Sequence, residues 1–264
     1  YLSLACRIAS EMGAHMVKGQ SVLNLMLQHL GRDTSLTHGR DGTGHYSDPS
    51  LKIYGNISHL GAMVPVACGA ALASKLRNEK AVAMTYIGDG GASIGEVHEA
   101  LCMASVMKLP VILIIENNQY AYSTPASKQF AVDQLSKRAV GYGIPGITVD
   151  GTDVIEVYHV TKEAVARVRK GEGPTIIESV TMRMHGHAAH DNAWYVPKKL
   201  ISEWKKKDPV DRFEKLLMDE GILTSQKKES VTSQILQELD VAVKDALAHP
   251  YPTAEDAPEG VYAE

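Results

Sequence analysis

Residues 81–118 read AVAMTYIGDGGASIGEVHEALCMASVMKLPVILIIENN, and this stretch decides the fold class. It opens on a short apolar run, residues 81–87 (AVAMTYI), which ends at the glycine-rich turn 88–91. Residues 95–107 then show helical spacing. Val97, Leu101 and Ala104 share a face, and Glu96 and Glu99 sit in the first turn, where a carboxylate suits the positive end of the helix dipole. Residues 109–115 (LPVILII) run apolar without alternation, the pattern of a strand covered on both faces. Strand, helix and buried strand in this order predict a parallel pair joined by a crossover helix.

The same alternation continues on either side. Upstream, residues 20–30 have helical apolar spacing at Val22, Leu23, Met26 and Leu30, and residues 62–77 are a small-residue, alanine-rich helix. Between them, residues 31–61 form a long polar stretch rich in glycine, with His38, His45 and His59; so long a loop in a compact domain points to function. Downstream, residues 146–149 (GITV) and 174–182 (PTIIESVTM) are strands. Asp153 caps a helix that runs to about Lys170 and stops at Gly171. Residues 183–197 are a histidine-bearing loop. Asp208-Pro209 opens a helix stopped by Gly221, and residues 229–248 form an amphipathic helix with Val231, Ile235, Leu239, Val243 and Leu247. The expected architecture is α/β, a mostly parallel sheet with helices on both faces. Residues 1–200 are the expected binding domain, with 201–264 a helical extension and tail of that domain, the tail after 249 extended along a surface.

Composition narrows the function. The 264 residues carry 27 Lys plus Arg against 31 Asp plus Glu, a formal charge of −4, which argues against a bulk basic field for nucleic acid. No apolar run approaches the roughly 18 residues of a membrane span. Three widely spaced cysteines, Cys6, Cys68 and Cys102, do not suggest a disulfide framework, and Cys102, between Leu101 and Met103, reads as core packing. Glycine, at 22, and histidine, at 11, are the residues in excess, as expected where backbone approaches a ligand beside an imidazole. The chain opens at Tyr1 directly into structured-looking sequence, so its natural sequence is expected to begin earlier.

Gly88-Asp89-Gly90 closes one strand and Asn117-Asn118 closes the next, with 26 residues between. In an open parallel sheet the carboxyl ends of the strands form the ligand crevice, so both signatures face one site. Gly90 and Gly91 leave room for a phosphate, and backbone N–H groups at the start of a helix favour an anion. Asp89 and Asn118 supply hard oxygen ligands for a divalent cation already bound to a diphosphate. The run GDGGASIG lacks the G-x-G-x-x-G spacing of a nicotinamide site. His185, His187 and His190 are either a transition-metal cluster, plain solvated histidines, or a titratable group at the site.

The stretch YIGDGGASIGEVHEALCMASVMKLPVILIIENNQYAYSTP resembles the thiamine diphosphate motif of the alpha subunit of the 2-oxo acid dehydrogenases, the decarboxylating components of the pyruvate and branched-chain complexes. HGRDGTGHY, SHLGAMVP, YGIPGITVDGTDV, TMRMHGHAAHD and DPVDRFEKLL follow the family's order, and YAYSTP and GYGI look closer to the branched-chain branch. The resemblance implies thiamine diphosphate and Mg²⁺ as cofactors. Asp89, Asn118 and the main-chain oxygen of Tyr120 would hold the metal; Gly88, Gly90 and Gly91 would meet the diphosphate. Ser58 and Leu60 would hold the aminopyrimidine, Arg183 would lie beside the phosphates, and His187 would be the catalytic histidine. It also implies a beta subunit in an alpha2–beta2 heterotetramer, a lipoyl domain as acyl acceptor and a 2-oxo acid substrate, with no nucleic acid or membrane partner. Acetoin cleavage, or a degenerate non-catalytic subunit, are the alternatives. A cytoplasmic location in a bacterial or archaeal cell is expected, with the mitochondrial matrix open.

Two departures stand out. The family's diphosphate-gripping Tyr-Arg pair falls on Ala9-Ser10, with Arg7 nearby. The serine phosphorylated in mitochondrial relatives is Ala188, so regulation there is not expected.

Overall fold

The computed structural model describes residues 7–42, 44–55, 57–256 and 258–259, with side chains from residue 12 onward. Ala9, Ser10 and Arg7 fall within helix α1 (Arg7–Val17), but their side chains lie outside the described part, as does Cys6. Two compact units form. One comprises Tyr1–Ser10 and Ser58–Leu216, the other Glu11–Ile57 and Leu217–Glu264.

The second unit contains α2 (Val22–His29), a helix of the expected register whose N-cap Ser21 accepts from the Asn24 amide. Its loop packs Tyr46 and Ile53 against Leu25. The long stretch after α2 is held by the chain's own tail: the Arg32 guanidinium donates to the His249 carbonyl at 3.0 Å and lies over the Tyr251 ring, and Arg40 donates to the Asp256 carbonyl at 2.7 Å.

The first unit carries the sheet. Helix α3 (Met63–Leu76) leads into β1 (Ala83–Gly88), α4 (Gly95–Val106) and β2 (Val111–Asn117). A two-stranded hairpin, β3 (Tyr120–Ala121) with β4 (Thr124–Pro125), interrupts the polar loop expected over 116–130. Then come α5 (Ala139–Tyr142), β5 (Gly146–Asp150), α6 (Val154–Arg169) and β6 (Thr175–Val180). The main sheet runs in the order β1-β2-β6-β5, and every pairing is parallel. Helices cover both faces, as the unalternating strands require. Leu113, Ile115 and Ile176 pack against Val97, Leu101 and Ala104 of α4 and Val64 and Cys68 of α3. On the opposite face Ile112, Ile114 and Ile177 pack against Val157, Ala164 and Val168 of α6. A fully buried isoleucine of this kind contributes about 2 kcal/mol, so the β2–β6 pair is the energetic centre of the unit. Asp153 caps α6 through bonds to the Ile155 and Glu156 amides, as its position foretells.

The last helices are α7 (Lys198–Lys205), α8 (Pro209–Asp219) and α9 (Ser225–Ala248). Helix α7 has no counterpart in the sequence reading. Along α9 the expected apolar face at Val231, Ile235, Leu239, Val243 and Leu247 is exposed, and the helix buries only Ala242 and Ala246. Cys102 is exposed as well, contrary to its reading as core: on α4 the inward face is set by Val97, Ala100, Leu101 and Ala104, and the next residue is turned about 100° away. Among the described residues no helix is long and apolar enough to cross a membrane.

Candidate active site

The parallel register brings the carboxyl ends of β1 and β2 together, with Gly88 opposite Glu116. The Asp89 amide donates to the Glu116 carbonyl at 3.2 Å, and the Asn118 amide donates to the same oxygen at 2.9 Å. The two signatures therefore leave the sheet side by side, through shared backbone bonding.

Asp89 is 1% exposed. Burial raises its carboxyl above the ordinary carboxylate range; the Gln129 amide, the Arg183 charge and the Asn118 N–H pull the other way. Gln129 donates through Nε2 to Asp89 Oδ2 at 2.7 Å and to the Thr124 carbonyl at 2.9 Å. Its Oε1 is buried with no hydrogen-bond partner. A Cβ on Gly90 would lie 2.6 Å from Ala121 Cβ, and one on Gly91 would lie 2.8 Å from Ile87 Cγ1. Both glycines are required for close approach, whereas Gly88 has open space. The same Gly91 position lies 3.8 Å from Leu60 Cβ, which brings Leu60 to the turn. Ser58 is exposed two residues earlier.

Arg183, 5% exposed, is the knot of the site. Its guanidinium donates to the carbonyls of Tyr120 at 2.9 Å, Tyr122 at 2.5 Å and His185 at 3.2 Å, and to the Tyr195 hydroxyl at 2.9 Å. These bonds tie the guanidinium to the hairpin backbone, and the Arg183 charge is felt at Asp89. Gln119 and Tyr122 have left-handed φ values of 74° and 53°, each costing about 1–2 kcal/mol for a side-chain-bearing residue. The Arg183 bonds on either side over-determine that turn and keep it in place. The Tyr120 carbonyl keeps a second lone pair beside its bond to Arg183.

His187 sits half-buried on the 183–197 loop, its ring 4.8 Å from the Tyr122 ring. The His187 amide donates to Asp191 Oδ2 at 2.7 Å, which also accepts from the Tyr195 hydroxyl at 2.5 Å. Those bonds hold the Asp191 carboxyl down to about 2, the Tyr195 hydroxyl contributing most. At Gly186 a Cβ would meet the Asp191 carbonyl oxygen at 1.8 Å, so the loop closes on itself there. Asp191 closes the TMRMHGHAAHD segment without a role of its own there, and Gln129 and Tyr195 carry no motif signal; polar residues in a loop become visible only once the fold places them. No group of three metal-binding side chains occurs among the described residues, and the transition-metal reading of the three histidines is set aside.

A buried carboxylate beside an orphaned amide oxygen, with two glycines that a Cβ would obstruct, forms a donor set for a hard cation and an anionic group at the carboxyl edge of a parallel sheet. That defines the class: an α/β protein whose parallel sheet opens a ligand crevice at its carboxyl edge. The chain belongs to the dehydrogenase E1 component family, which it matches over residues 10–255. Membership places it among the thiamine diphosphate-dependent 2-oxo acid dehydrogenases. It is 35% identical over 255 residues to the 2-oxoisovalerate dehydrogenase subunit alpha of Bacillus subtilis, covering 96% of this chain and 77% of that protein. It is 44% identical over 189 residues to the pyruvate dehydrogenase E1 component subunit alpha of Staphylococcus aureus, covering 71% of this chain and 51% of that one. The alpha subunit of the acetoin:2,6-dichlorophenolindophenol oxidoreductase of Cupriavidus necator is 35% identical over 260 residues, covering 97% of this chain and 78% of that protein.

Proposed function

We propose that this chain is the alpha subunit of a decarboxylating 2-oxo acid dehydrogenase of the branched-chain type. It holds thiamine diphosphate through Mg²⁺, works with a beta subunit in an alpha2–beta2 assembly, and delivers an acyl group to a lipoyl domain. The observation that carries this reading is the buried Asp89 carboxylate set beside the Asn118–Tyr120 turn and the Gly90-Gly91 bend.

The bound cofactor supplies the carbanion-stabilising carbon centre for loss of CO₂ from a 2-oxo acid. The chain's residues bind, orient and move protons. Asp89, Asn118 and the Tyr120 carbonyl would hold the cation, the Asp89 carboxylate supplying the protein's negative charge. The backbone at Gly90 and Gly91 receives the diphosphate. Leu60, packed near Gly91, and Ser58 hold the pyrimidine end. The imidazole of His187 would donate or accept the proton, its loop steadied by Asp191 and Tyr195.

Decarboxylation of branched 2-oxo acids and pyruvate, and cleavage of acetoin, assayed with the chain alone and with its beta partner, test the reading. The expected result is turnover of branched 2-oxo acids by the pair only. Full activity of the chain alone would refute the shared-site assembly, and preference for acetoin would move it to the ketone-cleaving branch. Calorimetry of thiamine diphosphate with Mg²⁺ on Asp89→Ala should show metal-dependent affinity lower by about 100-fold or more; an unchanged value would remove Asp89 from the site.

A further inference from the structure

Glu178 is a carboxylate in the interior of the sheet, 1% exposed, facing Ile115 across the β2–β6 pair. None of the roles above uses it. It accepts from three elements: Asn117 Nδ2 at the end of β2, at 2.8 Å; the Ser136 amide in the turn before α5, at 3.0 Å; and the Thr148 hydroxyl on β5, at 2.9 Å. Thr148 in turn shares a 2.6 Å bond with the Ser136 hydroxyl. A carboxylate surrounded by donors only accepts, so it compels Asn117 to present its NH₂ group inward and its amide oxygen outward. That oxygen faces the next turn and accepts from the Gln119 amide at 3.3 Å. Gln119 is one of the left-handed residues, a conformation that a preceding asparagine side chain stabilises by this kind of contact. The turn so fixed is the one that carries Asn118 and the Tyr120 carbonyl.

We propose that Glu178 is a positioning residue for the cation site: it sets the amide orientation of Asn117, and thereby the 117–120 turn that presents Asn118 and the Tyr120 carbonyl to the metal. The inference rests on the magnesium–thiamine diphosphate reading above. Partners behind the ligands commonly tune metal affinity as strongly as this requires.

The polarity of the pair supplies the test. Glu178→Gln turns one NH₂ group onto another. Asn117→Asp sets two carboxylates face to face. The double exchange Asn117→Asp/Glu178→Gln restores every bond with the central one reversed: the new amide donates to the new carboxylate, whose other oxygen still accepts from the Gln119 amide. Magnesium chloride is titrated calorimetrically into the full chain, co-produced with its beta partner and saturated with thiamine diphosphate. Each single variant should bind magnesium about 10–100-fold more weakly, and the double variant should recover most of the loss. Hydrogen exchange at Gln119, read without metal, should accelerate in the singles and return in the double. Single variants with wild-type affinity, or a folded double variant as weak as either single, would overturn the proposal. Should a single variant not fold, the affinity of the double decides alone. Absence of magnesium binding in the unmodified chain would instead overturn the functional reading beneath it.

Discussion

At the scale of the residue, the two glycines at the bend differ from their neighbour in what they tolerate. Gly90→Ala drives a Cβ to 2.6 Å from Ala121 Cβ, and the hairpin has to move. The expected cost is about 1–3 kcal/mol in stability, with weaker cofactor binding. Gly88→Ala meets nothing within 4 Å and is expected to stay within about 0.5 kcal/mol. Thermal unfolding of the two variants side by side checks the contrast. Asp191 makes a pH prediction. Its carboxyl lies at about 2, below the ordinary value of 3.8, so its contribution to folding is complete above the unfolded value and is lost as pH falls through the folded one. The difference in melting temperature between the unmodified chain and Asp191→Asn should therefore stay constant between about pH 5 and 8 and close on further acidification.

At the scale of the element, the 120–125 hairpin depends on one guanidinium. Arg183→Lys keeps the charge but cannot reach three carbonyls and a hydroxyl together. The expected loss is about 3 kcal/mol, with proteolytic cleavage appearing first between residues 119 and 125. The sheet strands were legible because an unbroken apolar run without alternation leaves little alternative, as residues 109–115 show. The hairpin was not, because its two-residue strands are held by Arg183 from far along the chain and have no period of their own. Helix α7 was hidden by its lysines, although Leu200, Ile201 and Trp204 carry an apolar face at helical spacing and pack against Met182 and Val196. In the site, Asp89 and Asn118 could be read from motif and strand ends alone. Gln129 could not, since its role comes from a bond to a residue 40 positions away.

At the scale of the whole molecule, the two described cysteines report different events. Cys102 is exposed on α4, while Cys68 is fully buried, its thiol pushed up to about 11 by burial. At about pH 8, iodoacetamide should modify Cys102 readily and reach Cys68 only when the sheet unit opens as a whole. Peptide mass mapping over time distinguishes the two rates; equal rates would mean that α3 and α4 separate locally.

Arg183 grips the hairpin mainly through main-chain oxygens, which every amino acid possesses. The half-exposed Tyr122 side chain takes no part in that grip, so replacing it leaves the bonds of the frame in place. Side chains at the rim beside His187 can therefore be exchanged while the backbone frame of the hairpin stays the same. One arginine thus separates what can be retuned from what cannot.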